Sequence, residues 1–129
     1  KAGGAVKGLM GGMGGRYLVD EFRRGSCGTM PAGHITEAHV KLWNALEAGS
    51  VDEKGLQVVT DEAREIWEQM IPSLNFEFMF GANAYKAAYW RRGIIRTPLT
   101  RNPANKSLDK LDYEELDKIL DRMSGLLNR

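Results

Sequence analysis

The chain has 129 residues, 43% hydrophobic and 27% charged, which is enough apolar matter for one ordinary domain with a core and too much for a disordered chain. Its 18 Lys and Arg against 17 Asp and Glu leave a formal net charge of +1, so composition gives no argument for nucleic acid or an anionic membrane surface as a partner. A single cysteine excludes an internal disulfide, and no stretch approaches the ~18 consecutive apolar residues of a membrane helix or the apolar core of a signal peptide, so a cytoplasmic setting is expected.

Of the 15 glycines, seven fall at positions 3, 4, 8, 11, 12, 14 and 15. Such flexibility suits a tight turn or a close approach in the middle of a working site, and the segment does not read as a natural N-terminus. Ala5-Val6-Lys7-Gly8-Leu9-Met10 is a short apolar run that predicts a buried strand, followed by a turn through Gly11 to Gly15. Arg16 to Arg24 carries Tyr17, Leu18 and Phe22 at helical spacing, with Asp20 four residues before Arg24 and Gly25 beyond the end, which predicts a short helix. Ser26-Cys27-Gly28-Thr29-Met30-Pro31 predicts a second strand, stopped by the proline and burying the Cys27 thiol as an inert core group. Strand, turn, helix and strand make a βαβ unit with parallel strands and a right-handed crossover, so the expected class is α/β.

From Thr36 onward the pattern is helical. Thr36 is a candidate N-cap for a helix with Val40, Trp43 and Leu46 on one face, closed by Gly49. Thr60 opens an acidic-fronted helix that Pro72 is expected to stop. A third helix is expected from about Asn75 to Arg92, with Phe76, Phe80, Ala84, Ala87 and Trp90 on one side and Phe78, Met79, Tyr85 and Tyr89 on others, a surface wide enough to need more than one partner. Gly93 ends it behind Arg91 and Arg92. Pro98 and Pro103 mark an irregular passage, and Asp112-Tyr113-Glu114-Glu115 reads as a capping box before Leu116, Ile119, Leu120 and Met123. The division expected is therefore residues 1–33 as the βαβ unit and 34–129 as a helical extension. Two parallel strands need neighbours, so the sheet is expected to be incomplete within this chain.

Val6-Lys7-Gly8-Leu9-Met10-Gly11-Gly12, then Gly15-Arg16-Tyr17, then Asp20 through Pro31 form an ordered series. It resembles the seventh strand, seventh helix and eighth strand of the dihydrodipicolinate synthase/N-acetylneuraminate lyase family. Downstream, Leu42-Trp43, Ile71-Pro72 with Asn75-Phe76, and Tyr85-Lys86 with Arg91 to Ile95 look like that family's C-terminal helices. The resemblance implies the C-terminal portion of a (β/α)₈ barrel, strands seven and eight, followed by extra α-helices. It also implies a class I aldolase or lyase that holds pyruvate or another 2-keto acid as a Schiff base, with the reactive lysine upstream of residue 1 and no catalytic residue in this segment. An iminium withdraws electrons from the adjacent carbon and stabilises the carbanion left when a carbon–carbon bond breaks, so no metal or organic cofactor is needed. Homo-oligomers, tetramers or dimers, are implied as well. The alternative is a non-catalytic structural or oligomerisation module.

The substrate-binding residues that the resemblance implies are Gly12, Met13, Gly14, Gly15 and Arg16 in the loop after the first expected strand and Met30 at the end of the second, both at the mouth where barrel sites form. Lys7 stands at the opposite end of its strand. Arg16 reads either as an anion-holding group at a helix N-terminus or as a surface arginine, and the glycine run either as ligand contact or as close packing. His34 and His39, five residues apart, do not share a helix face as metal ligands would. Arg91, Arg92, Arg96 and Arg101 near Tyr89 and Trp90 have a nucleic-acid reading, which the balanced charge disfavours. Trp43, Trp67 and Trp90 read as core or subunit-contact residues.

Overall fold

In the computed structural model, which describes residues 4–101 and 107–128, a 3-10 turn at Met13–Gly15 leads to helix α1 (Leu18–Arg23). A second 3-10 turn at Gly33–Ile35 precedes α2 (Thr36–Glu47), α3 (Asp61–Phe80), α4 (Ala82–Arg91) and α5 (Lys110–Arg122). Gly3 and Pro103 lie outside the described residues.

The expected α/β class, a barrel end with two strands, is overturned. Helices make up 56% of the structure and strand-type residues 3%, with no sheet among the described residues, so this is a mostly helical small domain. The two expected strands meet at one parallel bridge, Gly11 to Thr29. Three backbone hydrogen bonds hold it: Cys27 N–H to Leu9 O at 2.9 Å, Gly11 N–H to Gly28 O at 3.0 Å and Met30 N–H to Gly11 O at 2.9 Å. Short, glycine-rich segments with no third strand alongside do not extend such a contact into a ladder. For the same reason the apolar side chains meant for a buried sheet are exposed, Leu9 at 72% and Met30 at 68%. Cys27 is exposed too, contrary to its expected burial.

The helices form where apolar spacing and capping put them, with instructive departures. Thr60 caps α3 as expected, its hydroxyl accepting from the Ala63 N–H at 3.1 Å while donating to Ala45 O. Thr36 is the first residue of α2 and not its cap; its hydroxyl donates back to Gly33 O. The buried face of α2 is Ala38, His39, Leu42, Ala45 and Leu46, and Val40 is exposed. Pro72 does not stop α3. A proline inside a helix costs about 3 kcal/mol, but Ser73, Leu74, Phe76 and Glu77 beyond it are all buried, and their packing carries the helix through. The break comes instead at Gly81, whose φ of 54° and ψ of −126° separate α3 from α4. The capping box of α5 is Asp109 with Asp112, each carboxylate accepting the other's N–H at 3.0 and 2.9 Å, so the helix begins at Lys110, ahead of the expected box.

Packing runs α2 on α3, α3 on α4 and α5, and α4 on α5. The buried cluster joins Leu18, Val19 and Phe22 of α1 to Ile35, Leu42, Leu46, Met70, Leu74, Ala87 and Met123, so it draws on residues from both sides of position 33. Trp43 and Trp67 pack partly buried against it, whereas Trp90 is 36% exposed. No helix among the described residues is long and apolar enough to cross a membrane.

Candidate functional site

The Gly11 to Arg16 loop sits where the parallel bridge ends and α1 has yet to begin. Its backbone is unusual: Met13, Gly14 and Gly15 follow one another in the left-handed region, with φ of 53°, 68° and 82°. For glycine this is ordinary, but for Met13 it costs about 1–2 kcal/mol and persists only where the surroundings over-determine it. Local hydrogen bonds supply part of that constraint, Gly15 N–H to Gly12 O at 3.0 Å and Arg16 N–H to Met13 O at 3.2 Å.

The rest comes from below. A β-carbon on Gly14 would collide with the Glu77 carboxylate of α3, one on Gly15 with the His39 imidazole of α2, and one on Gly11 with the Glu21 carboxylate of α1. Three ionisable side chains from three helices therefore occupy the space that side chains at these positions would take. Gly12, by contrast, has nothing near its missing β-carbon.

His39 places Nε2 3.0 Å from Gly14 O and Nδ1 3.1 Å from Ile35 O. A neutral imidazole has one N–H and can donate to only one of these carbonyls, while imidazolium donates to both. Burial holds its pKa below the ordinary histidine value, with the two carbonyls pulling the other way. Glu77 is 8% exposed; its Oε1 accepts from the Tyr85 hydroxyl at 3.2 Å and its Oε2 is buried without a partner. Burial raises its pKa, against the Tyr85 hydrogen bond and the Arg16 charge. Tyr85 is raised by burial and by the neighbouring carboxylate. Its ring lies 5.5 Å from that of His34. His34 pairs with Ser73 Oγ at 3.3 Å and is pushed down to about 4 by burial first and by the charges of His39 and Arg92 next. Arg92 in turn donates to His34 O and grips both oxygens of Glu37, which holds the Glu37 carboxyl below the usual range.

Of the residues expected to bind substrate, Met13 and Met30 have exposed side chains, 61% and 68%. Gly12 and Gly14 are half-buried and Gly15 is buried. Because the bridge is parallel, the loop and Met30 follow its two partners at the same end. Arg16 is committed elsewhere: its guanidinium donates to Leu74 O at 2.6 Å and lies 4.2 Å above the Phe78 ring, with Nε buried and unpartnered. The helix it precedes, α1, has only six residues, and Arg16 is separated from it by Tyr17. Arg91 is likewise occupied, over the Trp90 and Tyr113 rings and paired with Asp117 at 2.9 Å. Among the described residues no cluster of three or more His, Cys, Asp or Glu side chains could hold a metal ion.

The chain matches no known protein family, curated protein or solved structure. Its functional reading thus rests on its own residues. The polar floor of His39, Glu77, Tyr85, Ser73 and His34 was not anticipated from the sequence, although one signal was present. Glu77 stands alone in Leu74-Asn75-Phe76-Glu77-Phe78-Met79-Phe80, three residues after Leu74 and seven after Met70, and so on the buried stripe of α3. A lone acid on such a stripe requires partners, and the structure supplies them.

Proposed function

We propose that the chain forms one wall of the substrate pocket of a Schiff-base aldolase or lyase acting on pyruvate or another 2-keto acid. The observation that carries this reading is the pairing of segments 9–11 and 27–30, which sets the glycine loop and Met30 at one end of the bridge with Met13 and Met30 exposed. These are the two stretches whose residues resemble the keto-acid aldolase family. The chemistry would come from a lysine outside this chain. Its amine adds to the keto carbonyl, water leaves, and the resulting iminium accepts, as an enamine, the electron pair left on the neighbouring carbon when the bond from that carbon to the next one breaks. Met13 and Met30 would then bound the apolar side of the substrate, and the loop backbone its polar side.

The test is reduction with sodium borohydride in the presence of pyruvate, on the intact polypeptide in which this chain occurs. Irreversible gain of one reduced pyruvate adduct on a lysine is expected; an unchanged mass would overturn the reading. A second reading, a non-catalytic module that binds further copies of itself, is favoured by Phe78 and Met79, which stand side by side on α3 at 68% and 63% exposure. It predicts a concentration-dependent oligomer that Phe78→Ser with Met79→Ser dissociates, and no borohydride adduct.

A further inference from the structure

The proposed pocket wall includes a backbone that should not hold its shape unaided. Three successive left-handed residues, one of them a methionine, stand between the bridge at Gly11 and Arg16, whose guanidinium is held by Leu74 O. Two side chains fasten the centre of this loop to the helical body. His39 reaches from α2 to the Gly14 carbonyl, and its ring fills the β-carbon space of Gly15. Glu77 reaches from α3 into the β-carbon space of Gly14 and is steadied by the Tyr85 hydroxyl of α4. Both are buried, at 4% and 8%, His39 with its two ring nitrogens against backbone carbonyls and Glu77 bonded to Tyr85.

Resting on the aldolase reading, we propose that His39 and Glu77 are positioning residues. They hold Met13, Gly14 and Gly15 left-handed so that the Met13 side chain faces outward and screens the part of a 2-keto acid beyond its first three carbons. They act on specificity through the loop and not on the chemical step. The glycines at 14 and 15 are required because the clamp occupies the space of their side chains, and the exposed Met13 is the residue the clamp presents.

The charges facing the clamp set how it responds to acid. Glu77 faces Tyr85 from α4 and Arg16 from the loop, and His39 faces His34 from the turn before α2 along with the two carbonyls it bonds. As acid protonates His39, it gains a second N–H and can donate to Gly14 O and Ile35 O together. As Glu77 takes its proton, the buried carboxylate is neutralised against the loop. The raised Glu77 makes the closed loop the better proton acceptor and the lowered His39 makes it the poorer one, so protonation of Glu77 should slow exchange of the loop amides, relative to the intrinsic rate, and protonation of His39 should speed it.

The experiment compares intact wild-type polypeptide with His39→Ala, His39→Gln and Glu77→Gln in two measurements. Amide hydrogen exchange of residues 12–16 should accelerate about tenfold in His39→Ala, the factor carried by one ordinary hydrogen bond, with exchange in α5 unchanged. His39→Gln, whose amide nitrogen can reach Gly14 O, should recover part of the protection. Glu77→Gln should keep the protection and leave only the His39 effect, a loss of protection as pH falls. Borohydride trapping with pyruvate and with 2-oxohexanoate should show half-saturation for the longer acid moving several-fold in His39→Ala while that for pyruvate does not move. If wild-type protein traps neither acid, the aldolase reading falls, and with it the specificity role; exchange then decides the clamp alone. If exchange at residues 12–16 is the same in wild type and His39→Ala, the clamp is overturned whatever the trapping shows. Should His39→Ala unfold, exchange at residues 12–16 that is no slower in wild type and His39→Gln than in Gly15→Ala would equally overturn it.

Discussion

Two glycine-bearing turns in this molecule each adjoin a single bridge, and they are built on opposite terms. The turn between Val51 and Gln57 is closed by its own residues: the Asp52 carboxylate accepts from the Lys54 and Leu56 N–H groups at 2.9 and 2.8 Å, and nothing lies within 4 Å of a β-carbon placed on Gly55. The loop from Gly11 to Arg16 is closed from outside, by Glu21, His39 and Glu77 of three different helices. Gly55 and Gly15 share a left-handed backbone, with φ of 77° and 82°. One is a glycine for backbone reasons alone, and the other also because a histidine occupies the space its side chain would need. A count of glycines cannot tell these cases apart.

The largest expected effect follows from that difference. Gly15→Ala meets left-handed strain and a β-carbon 2.5 Å from His39 Nε2, and should lower unfolding stability in urea by about 3 kcal/mol. Gly55→Ala meets strain only and should cost about 1 kcal/mol. Equal losses would end the distinction.

Acid should separate the two regions almost as strongly. His34, on the polar floor near the loop, is held at about 4 against 6.5 for the ordinary side chain, so between those values the unfolded chain takes the proton first. Its contribution is complete above pH 6.5 and is lost as pH falls toward 4, by about 3 kcal/mol in all. Glu77 runs the other way, because a raised carboxyl pKa makes the folded state the better proton acceptor, with stability lost as pH rises above its unfolded value. Urea titrations between pH 4 and 7 should therefore show His34→Gln flattening the acid loss and Glu77→Gln gaining stability at pH 7. A profile unchanged by either substitution would show that these groups do not govern it.

Smaller effects test the self-closed turn. Asp52→Ala removes the acceptor for two N–H groups and should cost about 1 kcal/mol, read in thermal unfolding, with no change in amide exchange at residues 12–16. Met13→Gly should be neutral or stabilising by up to about 1 kcal/mol, since it relieves the one non-glycine left-handed residue among those described. A clear loss would mean that the exposed Met13 side chain makes contacts that outweigh its strain.

The elements that depend on neighbours in the chain were legible before the structure. Thr60 before an acidic turn, the stripe of Leu116, Ile119 and Met123, Gly93 after Arg91 and Arg92, and the Asp20–Arg24 pair at 3.2 Å are each decided within a few residues. The reading went astray where a local rule met a distant partner. Pro72 ends a helix by local rule, yet burial of Leu74 and Phe76 continues α3. Apolar runs at 5–10 and 26–31 have strand-like composition, yet with no third strand beside them they make one bridge and leave Leu9, Cys27 and Met30 exposed. Asp109 was overlooked as a cap although its signal is local, three residues before the Asp112 with which it closes the capping box.

By itself, the order of residues determined that this chain is helix-rich after Thr36, near neutral in charge, and provided with a glycine loop and two flanking methionines. Helix caps, apolar stripes and turn residues act over three or four positions, so their consequences can be read along the chain. Folding in space decided why those glycines are there. His39 lies 24 residues from Gly15 and Glu77 lies 63 from Gly14, and only the packing of α2 and α3 beneath the loop brings imidazole and carboxylate into the two spaces left empty for them.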